Sequence, residues 1–166
     1  MAWGVVSSYE GGTRVPFIVR CPGMVKTGVS DALVSQVDFI ASFAAMAGQK
    51  LPDGAAPDSQ NILPALLGKS KTGRDHVLEH SGNVAIRAGD WKFIPAHRGQ
   101  RRNANTNTEL GHEPSGQLFN LAKDAGEKNN LAAEHPEKVA ELTARLIQLK
   151  ADAASRPHPG PPKKEE

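Results

Sequence analysis

The sequence predicts an α/β chain, α+β over most of its length, on three observations. An apolar run from Val15 to Val19 follows the paired glycines Gly11 and Gly12 and stops at Pro22-Gly23, which reads as a loop feeding a strand filled on both faces. Further on, Asn83 to Arg87 and Trp91 to Pro95 flank Ala88-Gly89-Asp90, the spacing of a tight hairpin with glycine in the left-handed position. Near the end, Val139, Leu142, Leu146, Leu149 and Ala153 recur at steps of three and four, so one stripe of a helix is buried.

The remaining elements follow in order. Lys26 to Ser30 is a polar turn. Asp38 is placed to cap a helix whose apolar face is Phe39, Ile40, Phe43, Ala44 and Ala47, with Gly48 as its left-handed end and Pro52 preventing continuation. Gly54 to Pro57 is a linker, and Asp58-Ser59-Gln60 caps a short helix over Asn61 to Leu67. A first strand of the later sheet spans His76 to His80. Ala96 to Ser115 is a long polar loop, after which Gln117 to Leu121 resumes an apolar pattern. Pro136 opens the last helix, where its missing N–H costs nothing. The tail from Arg156, with four prolines and a charged end, is expected to be disordered.

Composition narrows the function. With 166 residues, 20 Lys and Arg against 18 Asp and Glu, the net charge of +2 gives no reason to expect nucleic acid as a partner. Arg98, Arg101 and Arg102 cluster without interleaved aromatics and read as a solvated loop. No apolar run reaches membrane-spanning length, and the first residues lack the basic region and apolar length of a signal peptide. The compartment stays open. A single cysteine, Cys21, rules out an intrachain disulfide.

Several blocks together resemble the sulfatase family. They are Tyr9-Glu10-Gly11-Gly12-Thr13-Arg14-Val15-Pro16 before the apolar run, the helix starting at Asp38, Arg87-Ala88-Gly89-Asp90-Trp91-Lys92-Phe93, and Leu118 to Leu131. The last is similar to L-Y-D-L-x-x-D-P-x-E-x-x-N-L, with Phe119, Asn120 and Ala125 replacing the usual Tyr, Asp and Pro. The resemblance covers roughly residues 4 to 150. It implies an alkaline-phosphatase-like fold whose C-terminal part is present here. Residues 1–68 would be a remnant of the large α/β domain, and 69–155 a small antiparallel sheet packed by the last helix. Residues 156–166 form the tail.

The same resemblance implies sulfuric ester hydrolysis by a formylglycine nucleophile and a calcium ion in full-length relatives, and neither cofactor is expected in this chain. The C/S-x-P-x-R motif that yields formylglycine is missing: Pro22 follows Cys21 at the wrong offset and Val25 stands where arginine is needed. Cys21 reads as a small apolar residue at a strand end. Calcium needs several convergent oxygens, yet neither an Asp-Asp nor an Asp-Asn pair occurs, and Asp75-His76 reads as solvated loop. The family's lysine before the Glu-Gly-Gly turn aligns with Val5.

No catalytic or metal-binding residue is therefore assigned. Pocket or supporting candidates are Glu10, Gly11, Gly12, Arg14, His80, His97 and Arg98, with Glu10 and Arg14 expected to form a buried ion pair. The function expected is the C-terminal part of an arylsulfatase-like hydrolase, inactive by itself, with a missing or separately encoded N-terminal half as partner and a sulfate ester as the substrate of full-length relatives. The alternatives are a non-catalytic interaction module, or half of a split phosphoester or phosphonate hydrolase of the same superfamily.

Overall fold

The computed structural model describes residues 7–152, so the expectations at Val5, at Ala153 and for the tail lie outside the described residues. The elements are α1 (Glu10–Thr13), a 3-10 turn (Gln36–Asp38), α2 (Phe39–Met46), α3 (Leu63–Leu66), β1 (His76–Ser81), β2 (Asn83–Ala88), β3 (Trp91–Ile94), β4 (Gln117–Asn120) and α4 (Pro136–Asp152). They fall into two compact units, one of Met1–Ile18 with Asp75–Ile147 and one of Val19–Arg74 with Gln148–Glu166.

The first unit holds a four-stranded antiparallel sheet in the order β1-β2-β3-β4. Its central hairpin pairs Ala88 with Trp91 across Gly89 and Asp90, and Gly89 takes φ +54°. That backbone twists the way the flanking strands do, which is why the two-residue turn selects glycine. Strand alternation places Ala85, Ile94 and Phe119 on one face, where they pack with Leu121. The Tyr9 ring meets Phe119 edge-on at 6.1 Å. Leu142 and Leu146 are the buried members of the α4 stripe. Asp75 is exposed before β1, as a solvated loop residue would be, whereas His76, 2.6 Å from it, is buried at the start of β1. Arg145 of α4 joins both, which fixes the helix beside the strand.

The second unit gathers Ile62, Ala65 and Leu66 with Ala32, Val34 and Phe39. Here α2 turns the opposite way to its apolar periodicity: Ala41 and Ser42 are buried, while Ile40, Phe43 and Met46 are exposed. Hydrogen bonding explains the reversal. Ser42 Oγ accepts the Ile62 N–H at 3.0 Å, Ser59 Oγ accepts the Ala41 N–H at 2.9 Å, and Asp38 Oδ1 accepts the Gln60 N–H at 2.8 Å. The backbone of the 58–62 segment needs acceptors, so the polar face goes inward. Asp38 thus makes no cap for its own helix, and Ser59 serves the first turn from a distance.

Two further expectations change. Glu10-Gly11-Gly12-Thr13 is a turn of helix rather than a loop. The run Val15 to Val19 lies in no strand, and Val15, Phe17, Ile18 and Val19 are exposed. A strand exists only where neighbours satisfy its backbone and cover its faces, and no described segment pairs with this run.

Candidate functional site

Segments far apart in sequence meet at one ammonium group. Lys92 on β3 is fully buried, with Nζ 3.1 Å from Glu10 Oε1, 2.7 Å from Glu79 Oε2, 3.4 Å from Glu127 Oε1 and 3.4 Å from Thr13 Oγ1. Arg87 on β2 reaches Glu10 Oε2 at 3.3 Å. The sheet register explains the convergence. Arg87 stands directly opposite Lys92, and Glu79 lies two residues from Val77, the β1 partner of Arg87. All three therefore share the face carrying Ala85, Ile94 and Phe119, and α1 brings Glu10 onto it.

Glu127, in the turn after β4, completes the cluster. Its Oε2 accepts the Glu10 N–H at 2.5 Å while its other oxygen faces Lys92. Burial raises the Glu127 pKa above the ordinary 4.5, with the Glu10 charge adding to the rise; Lys92 and the Glu10 N–H oppose it. Raised in the folded state, the group binds protons more readily folded than unfolded, so its ionised form costs stability. Wild type should therefore lose stability relative to Glu127→Gln as pH rises from the ordinary value through the raised one. Thermal melts of both proteins between pH 4 and 8 check this. Parallel curves would contradict the assignment.

The candidate residues from the sequence separate on this geometry. Glu10 is buried at the centre and pairs with Arg14 at 3.9 Å, but the expectation of a buried pair is corrected: Arg14 is largely exposed, and Lys92 and Arg87 are the nearer cations. Gly12 is needed for a close approach, since a Cβ there would fall 2.5 Å from the Ser7 carbonyl oxygen, whereas Gly11 faces open space. His80 and Arg98 are exposed. His97 lies against His112, ring centroids 4.3 Å apart. Lys92, Glu79, Arg87 and Glu127 escaped the sequence reading, although a lysine inside the run Trp91-Lys92-Phe93-Ile94 was a signal that an anion waits on that face.

A second polar region lies nearby in the same unit. A pocket of about 280 Å³ is lined by Tyr9, Arg101, Arg102, Glu109, His112 and Glu113 among others. Arg101 pairs with Glu113 and Arg102 with Glu109, so its cations are already matched. The Tyr9 hydroxyl donates to Gln117 Oε1 at 2.8 Å. Burial, aided by Glu113 and Glu109, raises its pKa and keeps it a neutral donor.

No family model matches the chain. Over 149 residues it is 46% identical to the N-acetylgalactosamine-6-O-sulfatase of Bacteroides thetaiotaomicron, covering 89% of this chain and 29% of that protein. It is 32% identical to human arylsulfatase A over 174 residues, 91% of this chain and 33% of that one. A solved 6S-sulfatase structure from work on glycosaminoglycan metabolism in Bacteroides thetaiotaomicron superposes with a TM-score of 0.84 at 43% identity, over 89% of this chain and 32% of that chain. The chain belongs to the sulfatase family. Its fold is the alkaline-phosphatase-like fold of sulfatases, represented by the antiparallel sheet and the helix α4. It spans about 30% of the length of the curated sulfatases it matches.

Sulfatases use calcium and formylglycine, and the described residues do not fit either. Among them, no group of three or more His, Cys, Asp or Glu is arranged to hold a metal ion. The carboxylates that do converge, Glu10, Glu79 and Glu127, are occupied by the ammonium of Lys92. Cys21 is a half-buried free thiol outside the motif that formylglycine formation requires. No helix of the described residues is long and apolar enough to cross a membrane.

Proposed function

We propose that this chain supplies the C-terminal part of an arylsulfatase-like sulfuric ester hydrolase and does not hydrolyse sulfate esters by itself. The observation that carries this reading is the convergence of Glu10, Lys92 and Glu127. These residues come from three blocks that each resemble sulfatases, and together they tie the Glu-Gly-Gly turn to the small sheet. The cluster holds a segment in place and offers no nucleophile. In this reading residues 1–68 belong to the large domain, 69–155 form the small sheet with its helix, and 156–166 are the tail.

The partner is the N-terminal part of a sulfatase, supplying the nucleophile and the calcium ligands. Exposed apolar side chains support the need for one: Val15, Phe17 and Ile18 in the first unit, and Val37, Ile40, Phe43 and Met46 in the second. Left uncovered, such side chains favour association. The substrate of the assembled enzyme would be a sulfated sugar, on the strength of the 46% identity to the N-acetylgalactosamine-6-O-sulfatase.

The test is hydrolysis of a chromogenic aryl sulfate by the purified chain, with calcium present and formylglycine-generating enzyme co-expressed. The expected result is no turnover above blank. Turnover that persists through purification would overturn the reading, because the chemistry would then run on residues assigned here to support.

A further inference from the structure

Glu127 combines two features that rarely coincide without a reason. Its backbone takes φ +51°, a left-handed conformation that glycine adopts freely and glutamate does not. Its side chain is almost completely buried, with one oxygen on the Glu10 N–H and the other facing Lys92. A turn that needed only this backbone would be served better by glycine, which already occupies the preceding position 126. Strain of this kind persists where surrounding contacts over-determine it, and it gathers at places where geometry matters.

We propose that Glu127 is a positioning residue whose strained backbone aims its carboxylate at the amino end of the Glu-Gly-Gly turn and locks that turn against Lys92. The claim rests on the reading of the chain as part of a sulfatase, since only there does the turn border a reaction centre. What the lock holds is visible directly. Ser7 and Ser8 are buried, Gly12 rests on Ser7, and the Ser8 N–H donates to the Leu110 carbonyl at 3.0 Å. The stretch from 7 to 13 is thereby fixed between the sheet face and the long loop. Within α1, the Gly12 N–H donates to Tyr9 O and the Arg14 N–H to Glu10 O, each at 2.8 Å. The amides of residues 10, 12 and 14 therefore report whether the lock is closed.

The test is hydrogen exchange, read by mass spectrometry on the full chain, for wild type, E127G, E127Q and A56G. Ala56 also has positive φ, at 47°, and A56G is the control for relief of strain alone. The lock predicts that E127G speeds exchange at residues 10, 12 and 14 at least tenfold while β2 and β3 keep their protection. E127Q, which retains an acceptor for the Glu10 N–H, should stay within about threefold of wild type. Unchanged exchange in E127G, or higher thermal stability of the kind expected for A56G, would overturn the proposal. Should E127G not fold, E127Q and E127M decide, because the two are similar in size and only glutamine keeps the acceptor. Faster exchange at these amides in E127M supports the lock, and equal exchange in the two overturns it. The readout does not depend on hydrolysis, so failure of the lock and failure of the sulfatase reading remain distinguishable.

Discussion

Lys92→Ala is expected to cost about 3–5 kcal/mol at neutral pH, the range for breaking a buried ion pair by removing one partner. The lysine is fully buried and neutralises three carboxylates brought by α1, β1 and the turn after β4. Without it, Arg87 and the exposed Arg14 are left beside Glu10, and the three acids face one another in a largely buried site. The loss should shrink toward acid, since Glu127, whose pKa burial already raises, can take up a proton in place of the missing cation. Urea titrations of wild type and Lys92→Ala at pH 7.5 and pH 5 measure both effects. A loss under about 1 kcal/mol at pH 7.5, the scale of an exposed pair, would mean that the cluster is hydrated and does not organise the sheet.

A comparable loss is expected for Arg74→Ala in the second unit. Arg74 Nη1 lies 2.6 Å from Asp38 Oδ1, with the two side chains 4% and 0% exposed, and 3.1 Å from the Asp58 carbonyl. The same Asp38 oxygen accepts the Gln60 N–H, so this pair organises the loop that the polar face of α2 serves. Removing the guanidinium leaves a buried carboxylate without its cation and costs about 3–5 kcal/mol. Arg74→Met with Asp38→Asn should recover part of that loss, because no buried charge remains and asparagine still accepts the Gln60 N–H. Denaturant unfolding of the single and double variants checks it. A double variant no more stable than Arg74→Ala would show that shape, not charge, is what the site requires.

How far the sequence reveals this molecule depends on whether the determining interactions are local. The hairpin over β2 and β3 was legible because its turn chemistry at Gly89 is local, as was α4, whose start at Pro136 and stripe at Leu142 and Leu146 follow from spacing alone. The orientation of α2 was not. Periodicity leaves Ser42 off the apolar face and residue type makes Asp38 a cap, whereas both go inward to meet backbone donors from a segment about twenty residues away. The apolar run at Val15 to Val19 misled in the opposite sense: its residues suit a central strand, but a strand is a property of its neighbours, and no strand of the described residues pairs with it.

The site shows the same division. Glu10 and Gly12 could be singled out from the Glu-Gly-Gly block, since a carboxylate and a close backbone approach both leave a trace in residue type. The partner of Glu10 could not, because Arg14 is four residues away and Lys92 is eighty-two. Nearness in sequence pointed to Arg14; sheet register and burial bring Lys92 closer still.

The most direct measurement of the central claim is a graft. Residues 7–152 of this chain would replace the matching third of the Bacteroides thetaiotaomicron N-acetylgalactosamine-6-O-sulfatase, and sulfate ester hydrolysis would be assayed beside the chain alone. Hydrolysis by the graft and none by the chain is the expected result. A graft that folds but does not turn over, or hydrolysis by the chain unaided, would contradict it.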